Sequence, residues 1–328
     1  MSWVSFSEFI ANDKPILIIY KGSYYFPILK FYPETEFGGD LKTEAYYKDI
    51  EIQCLIISSG NSDCWDYPKK IIQNSDERKF SDENNGTIIW PFIKYSYDTI
   101  SDDGIPVPSP PDEKHFLGTD DTARDVLARV IYGFRTSVLF GLIVSFFATI
   151  IGICAGAIQG YFGGRIDLIF QRLIEIWNSV PSIYVIIIIS AFLNVDFYIL
   201  AILMTLFSWT ALVGVVRAEF LRVRNFDYVL AAKSIGVSSF SIMYRHLLPN
   251  AMVASLTLIP FIITGSIGSL AALDYLGFGL PASSPSLGEL TLQAKQNIQA
   301  PWLGMCAFFV FSIMLALLVF IFEGIRDA

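Results

Sequence analysis

Apolar stretches long enough to cross a lipid bilayer recur through the C-terminal part of this 328-residue chain. A membrane-spanning helix needs roughly 20 mainly apolar residues, because the hydrocarbon core offers no water to an unpaired backbone group. Five segments read as spans: residues 137–158, 179–193, 197–216, 251–273 and 303–322, the second extended by the turn before it. With 53% hydrophobic residues, 16% charged residues and a mean hydropathy of +0.51, the chain is too apolar for an ordinary soluble domain of its length. The expected fold is an all-α polytopic membrane bundle. Gly152, Gly156 and Gly160 recur every fourth residue at and just past the end of the first span, which puts them on one helical face suited to close helix packing.

Charge divides the chain in two. Residues 12–134 carry 13 Lys and Arg against 21 Asp and Glu, whereas the remaining positions hold 10 of each sign. Nucleic acid is a poor partner for such a surface, since phosphate binding needs clustered Lys or Arg. Within the acidic segment, aromatic and β-branched runs at Tyr24, Tyr25, Phe26 and residues 87–92 alternate with Gly38 and Gly39 and with a Pro-rich stretch, 105–111. Short strands and loops follow from that pattern, making residues 12–114 a small mixed domain that caps or docks, joined to the membrane part, 115–328, by an extended linker. Cys54 and Cys64 lie here and Cys154 and Cys306 in apolar runs, so no CxxC or His/Cys cluster points to a metal or redox centre. If this segment faces an oxidising periplasm, a disulfide between Cys54 and Cys64 is one of two open outcomes.

Lys and Arg in short loops set the orientation of a membrane chain. The connection 217–249 carries Arg217, Arg222, Arg224, Lys233 and Arg245 against only Glu219 and Asp227, so it is expected to be cytoplasmic. The hairpin at 194–196 has no Lys or Arg, and 274–301 has only Lys295, which agrees. Residues 12–134 then lie outside. A polar segment of that length needs a preceding membrane helix for its translocation, yet residues 1–11 are too short for a span and lack a basic signal-peptide start, so they read as the remnant of a first transmembrane helix.

The basic connection is patterned as helix, turn, helix. Asn225 or Asp227 can cap the first helix, Gly236 suits the left-handed residue that ends it, Ser238 or Ser239 can cap the second, and Pro249 stands where a first-turn proline opens the next span. Such a pair presents Tyr228, Ala231, Ala232, Ile235 and Met243 as an apolar knob beside basic residues, a shape that fits a groove on a partner. Ala231, Ala232 and Gly236, then nine residues, then His246, Leu247, Leu248 and Pro249 resemble the EAA loop of ABC importer permeases, with Leu230 where the usual opening Glu stands, as in the dipeptide and oligopeptide branch. Leu117-Gly-Thr-Asp120, Asp125-Val-Leu-Ala-Arg129, Gly160-Tyr-Phe-Gly-Gly164 and Leu276-Gly-Phe-Gly-Leu-Pro281 extend the resemblance over 115–328. Asn12-Asp-Lys-Pro15, Phe37-Gly-Gly39 and Gln299-Ala-Pro-Trp302 are similar to the Yej-type branch, importers of microcin C and oligopeptides.

The resemblance implies a MetI-like transmembrane domain in the bacterial inner membrane. It further implies a homologous second permease, a cytoplasmic ABC ATPase that docks on Tyr228, Ala231, Ala232, Gly236, Met243, His246 and Pro249, and a periplasmic peptide-binding protein. No Walker-type GxxxxGK[ST] occurs, so this chain is expected to bind no cofactor, with ATP and Mg held in the partner subunit, and to catalyse nothing. His246 is expected to cap or dock. Glu175 is either functional or paired locally with Arg172, three residues earlier, Asp274 is expected to be interfacial, and Trp177, Trp209 and Trp302 either line a peptide path or anchor at interfaces. The competing reading is a membrane-anchored sensor or scaffold with a periplasmic ligand-binding domain; an intramembrane enzyme lacks both GxSxG and HExxH.

Overall fold

A computed structural model describes residues 6–77, 86–101, 104, 106–193 and 195–327. Residues 1–5, Ile105 and Asn194, which belong to the expected helix remnant, the Pro-rich linker and the hairpin, lie outside the described residues. The backbone forms two compact units, Met1–Tyr132 and Gly133–Ala328, dividing after Tyr132 and not at the change of polarity near residue 114.

In the first unit a five-residue helix α1 (Phe6–Ile10) leads to strands β1 (Leu17–Tyr20) and β2 (Ser23–Tyr25), helices α2 (Ile50–Ile57) and α3 (Pro68–Glu77) and strand β3 (Thr87–Ile89). The strands make an antiparallel sheet in the order β2-β1-β3. Lys21 and Gly22 close its hairpin with positive φ at both positions, matching the turn twist to that of the strands. Ile18, Tyr20, Phe37, Tyr47, Ile52, Leu55 and Ile56 form the core, and Cys54 and Cys64, both fully buried, are joined by a disulfide. Ala11 pairs with Ile93 and its carbonyl accepts from the Tyr132 hydroxyl at 2.8 Å, so the described part of the expected helix remnant is packed into this unit.

Helix α4 (Val126–Phe162) starts on a polar anchor. Asp125 Oδ1 accepts from the Ala128 N–H at 2.7 Å, and Asp120, fully buried, accepts from Arg124 Nε at 2.8 Å and Arg129 Nη1 at 2.7 Å. The second unit continues with α5 (Gly164–Ser179), α6 (Ser182–Phe192), α7 (Phe197–Ser208), α8 (Thr210–Val223), α9 (Asp227–Ser234), α10 (Ser239–Ile242), α11 (Leu248–Leu256), α12 (Ile259–Tyr275), α13 (Leu287–Gln296) and α14 (Pro301–Asp327).

Among the described residues three helices are long and apolar enough to cross a membrane, Val126–Phe162, Phe197–Val223 and Pro301–Gly324, and the total is up to five if each of two bent pairs is one span. The expected span 179–193 is such a pair: α5 and α6 meet at 64°, because Pro181 cannot continue the helix and biases Val180 to extended backbone. The expected span 251–273 is bent by 51° between α11 and α12, where Pro260 in the first turn of α12 removes a backbone donor. The glycine repeat faces α8. A Cβ on Gly152 would lie 2.7 Å from the Trp209 carbonyl, on Gly156 2.7 Å from the Val216 Cβ, and on Gly160 2.4 Å from the Phe220 Cβ. Lipid chains are as apolar as these side chains, so close backbone approach supplies the attraction between such helices.

Candidate coupling loop and its anchor

Helix α8 runs almost directly into the basic connection. Phe226 occupies the capping position of α9 without a side-chain bond, so neither Asn225 nor Asp227 caps it; Asn225 Nδ2 donates instead to the Leu221 carbonyl at 3.4 Å. Asp227 in the first turn and Lys233 in the last still complement the helix dipole. Gly236, at φ +84°, ends the helix: its N–H donates to the Lys233 carbonyl and the Val237 N–H to the Ala232 carbonyl, both at 3.1 Å, satisfying two terminal acceptors. Ser238 caps α10 through the Ser241 N–H.

The second loop helix does not stop before Pro249. Residues Met243–Leu247 form a π-turn in which the Leu248 N–H reaches the Met243 carbonyl, and α11 follows directly, with Pro249 in its first turn. Widening the helix by one residue there lets it pass a proline that can neither donate nor tolerate a close preceding carbonyl.

Of the expected knob, Ala232 points inward, 7% exposed, and Met243 is partly buried; both pack on a cluster of Tyr161, Val216, Phe220, Val223, Val229, Ile242 and Leu247. That correction follows from helical period: Val229 and Ala232, three apart, share the inner face of α9. Outward stand Tyr228, Leu230, Ala231, Ile235 (81% exposed) and Gly236, together with Phe240 (74%) and Tyr244 (68%), which sequence reasoning missed and whose rings stack in parallel at 6.3 Å. Their i, i+4 spacing was the available signal. His246 is half-buried, 6.4 Å from the Tyr228 ring; its carbonyl and the Tyr228 hydroxyl both accept from Asn250 Nδ2. An exposed patch of large apolar rings fringed by Arg222, Lys233 and Arg245 buries itself against a partner more readily than it does chemistry.

Behind the loop lies a charged joint that the sequence did not advertise. Arg217 on α8 donates to Asp167 on α5 through Nε at 2.5 Å and Nη2 at 2.7 Å, and the Gln171 amide, turned over so that its oxygen faces the same guanidinium, accepts from it at 3.1 Å. One heptad on, Arg224 Nη1 donates to the carbonyls of Gly160 and Tyr161 at the C-terminus of α4. Gly163, at φ +63°, turns the chain into α5, and a Cβ there would lie 2.4 Å from Arg224 Nη1.

Residues 148–328 match the family described as "Binding-protein-dependent transport system inner membrane component". The chain belongs to that family.

Across 98% of its length this permease is 49% identical to the "Inner membrane ABC transporter permease protein YejE" of Escherichia coli (strain K12), covering 87% of that protein. It is likewise 49% identical over 98% of its length to the "Peptidoglycan transport system permease protein YejE" of Agrobacterium fabrum, covering 84% of it. The "Oligopeptide transport system permease protein OppC" of Bacillus subtilis is 32% identical over 72% of this chain and 77% of its own. A chain of the MetNI methionine ABC transporter in an inward-facing conformation superposes with a TM-score of 0.53 at 16% identity, over 61% of this chain and 96% of that one, which shows the shared MetI-like fold. These relatives are transport permeases, not enzymes.

Elsewhere in the permease, groups that could suggest chemistry are structural. Ser101 Oγ, His115 Nε2, His115 Nδ1 and Asp125 Oδ2 follow in the order of a hydrolytic triad at 3.2 and 2.8 Å, but the His115 ring is 1% exposed and covered by Tyr95, so it ties loops together. Asp274, read from sequence as interfacial, is 3% exposed: it accepts from the Leu280 N–H at 2.7 Å and from the Ser286 hydroxyl, holding the Leu276-Gly-Phe-Gly-Leu-Pro281 turn against α13. Arg172 and Glu175 pair locally on an exposed face. Trp177 Nε1 donates to the Leu206 carbonyl at 3.0 Å and Trp209 packs beside Leu212 and Ile262; Trp302 is half-buried at the start of α14. No group of three or more His, Cys, Asp or Glu able to hold a metal occurs among the described residues.

Proposed function

We propose that this permease, paired with a homologous second permease, carries oligopeptides or peptide-like compounds of the microcin C type across the bacterial inner membrane. A cytoplasmic ATPase drives it, holding the ATP and Mg that this chain does not bind, and a periplasmic binding protein delivers the substrate. In this reading residues 217–249 are cytoplasmic and 12–134 periplasmic. The observation that carries it is the 49% identity over 98% of the chain to a protein named as an ABC transporter permease, supported by the oligopeptide permease at 32%. The Agrobacterium relative's name adds peptidoglycan-derived peptides to the substrates worth testing.

Binding energy released when the ATPase closes on Tyr228, Leu230, Ala231, Ile235, Phe240 and Tyr244 would rock the helices packed on the loop, opening the path alternately to either side. Uptake of labelled oligopeptides and peptidoglycan fragments in a strain lacking this subunit, with and without the gene restored, tests the substrate. Uptake that stays unchanged across all of them counts against it. Replacing Ala231→Glu together with Gly236→Pro is expected to abolish co-purification of the ATPase, and retained tight binding would defeat the dock.

A further inference from the structure

Along α5, Asp167 is the buried residue and the rest of the helix is exposed or half-exposed. No α5 side chain belongs to the apolar cluster that unites α8 with the loop helices. At this end α5 is therefore fastened by polar bonds: Asp167 and Gln171 to Arg217. At its other end Trp177 bonds the Leu206 carbonyl, and Asn178 Oδ1 accepts from the Thr210 hydroxyl at 3.0 Å, just before the bend at Pro181. Val216, Phe220 and Val223 lock α8 to Val229, Ala232, Ile242 and Leu247, so a push on the loop displaces α8 with it. A bidentate guanidinium–carboxylate pair has a fixed fork geometry, which a single flexible contact lacks.

Resting on the transport reading above, we propose that Arg217 is the positioning residue that makes α5 and α6 travel with the coupling loop, its pair with Asp167 passing the loop's displacement to the bend between the two helices. Breaking the pair therefore separates fuel use from movement.

The test uses the assembled transporter in proteoliposomes. For Arg217→Gln and Asp167→Asn, uptake is expected to fall at least tenfold while ATPase retention and ATP hydrolysis stay within twofold, and Arg217→Lys, which keeps the charge but not the fork, falls between. The exchange Asp167→Arg with Arg217→Asp is expected to restore uptake. Unchanged uptake in the single variants, parallel loss of uptake, hydrolysis and assembly, or an exchange that rescues nothing would each overturn the proposal. A second measurement needs no substrate: spin labels at Leu168→Cys and Asn225→Cys, with Cys154 and Cys306 replaced by Ala, should keep one separation with and without ATP when the pair is intact and diverge in Arg217→Gln. Equal behaviour of the two overturns the joint even if no tested peptide is transported; absence of peptide uptake with the joint intact sinks the transport reading instead.

Discussion

A single methyl group tests the helix contact on which the loop rests. Placed on Gly160, it would meet both the Phe220 Cβ and, at 2.7 Å, the Arg217 carbonyl, neither of which can rotate away. Gly160→Ala is expected to destabilise the fold by about 1–3 kcal/mol, the usual cost of overpacking, read as a lowered thermal midpoint in detergent; an unchanged midpoint would show that α4 and α8 separate freely. Asp120 is a second residue with a sharp expectation. Burial alone would raise its pKa, but Arg129 and the bonds from Arg124 and Thr122 outweigh it and hold the carboxyl below its ordinary value of 3.8. A depressed folded-state value means that its contribution is present above 3.8 and is lost as pH falls through the lower folded value. Unfolding followed from pH 7 downward, steps set by the experimenter, should therefore show Asp120-dependent stability that persists until strongly acid conditions. Asp120→Asn should cost about 3–5 kcal/mol at neutral pH by removing the buried carboxylate that Arg124 and Arg129 both bind, and a wild-type-like melt would refute the assignment.

At the scale of elements, the loop and the disulfide-bearing helix make independent predictions. Phe240→Ser with Tyr244→Ser removes exposed rings that lie outside the apolar cluster under the loop, so ATPase co-purification should weaken by about thirtyfold, each ring accounting for about 1 kcal/mol, while the thermal midpoint holds. A matching loss of midpoint would mean that the rings are structural. Cys54→Ser with Cys64→Ser opens the link beneath α2 and should lower stability by about 2–4 kcal/mol, visible as faster amide exchange across Ile50–Ile57. The loop was largely legible in the sequence because turn chemistry is local: Gly236 and Ser238 end and start helices wherever they stand. Which face of α9 looks outward was less legible, and the capping by Asn225 or Asp227 misled, because a tertiary cluster centred on Phe220 decides how α9 leaves α8.

For the whole molecule, orientation is the expectation from which the others descend. A cysteine at Asn225 should react with an impermeant thiol reagent only from the cytoplasmic side, and one at Tyr24 only from the periplasmic side; the reverse pattern would undo the proposed mechanism. By itself the sequence determined the membrane class and the position of the basic loop, since hydropathy and charge are sums over residues that need no partners. Tertiary structure alone decided the inward turn of Ala232 and the meeting of Asp167 with Arg217. Those two residues stand 50 apart in sequence, and a buried charge finds its partner only where packed helices bring the two ends together.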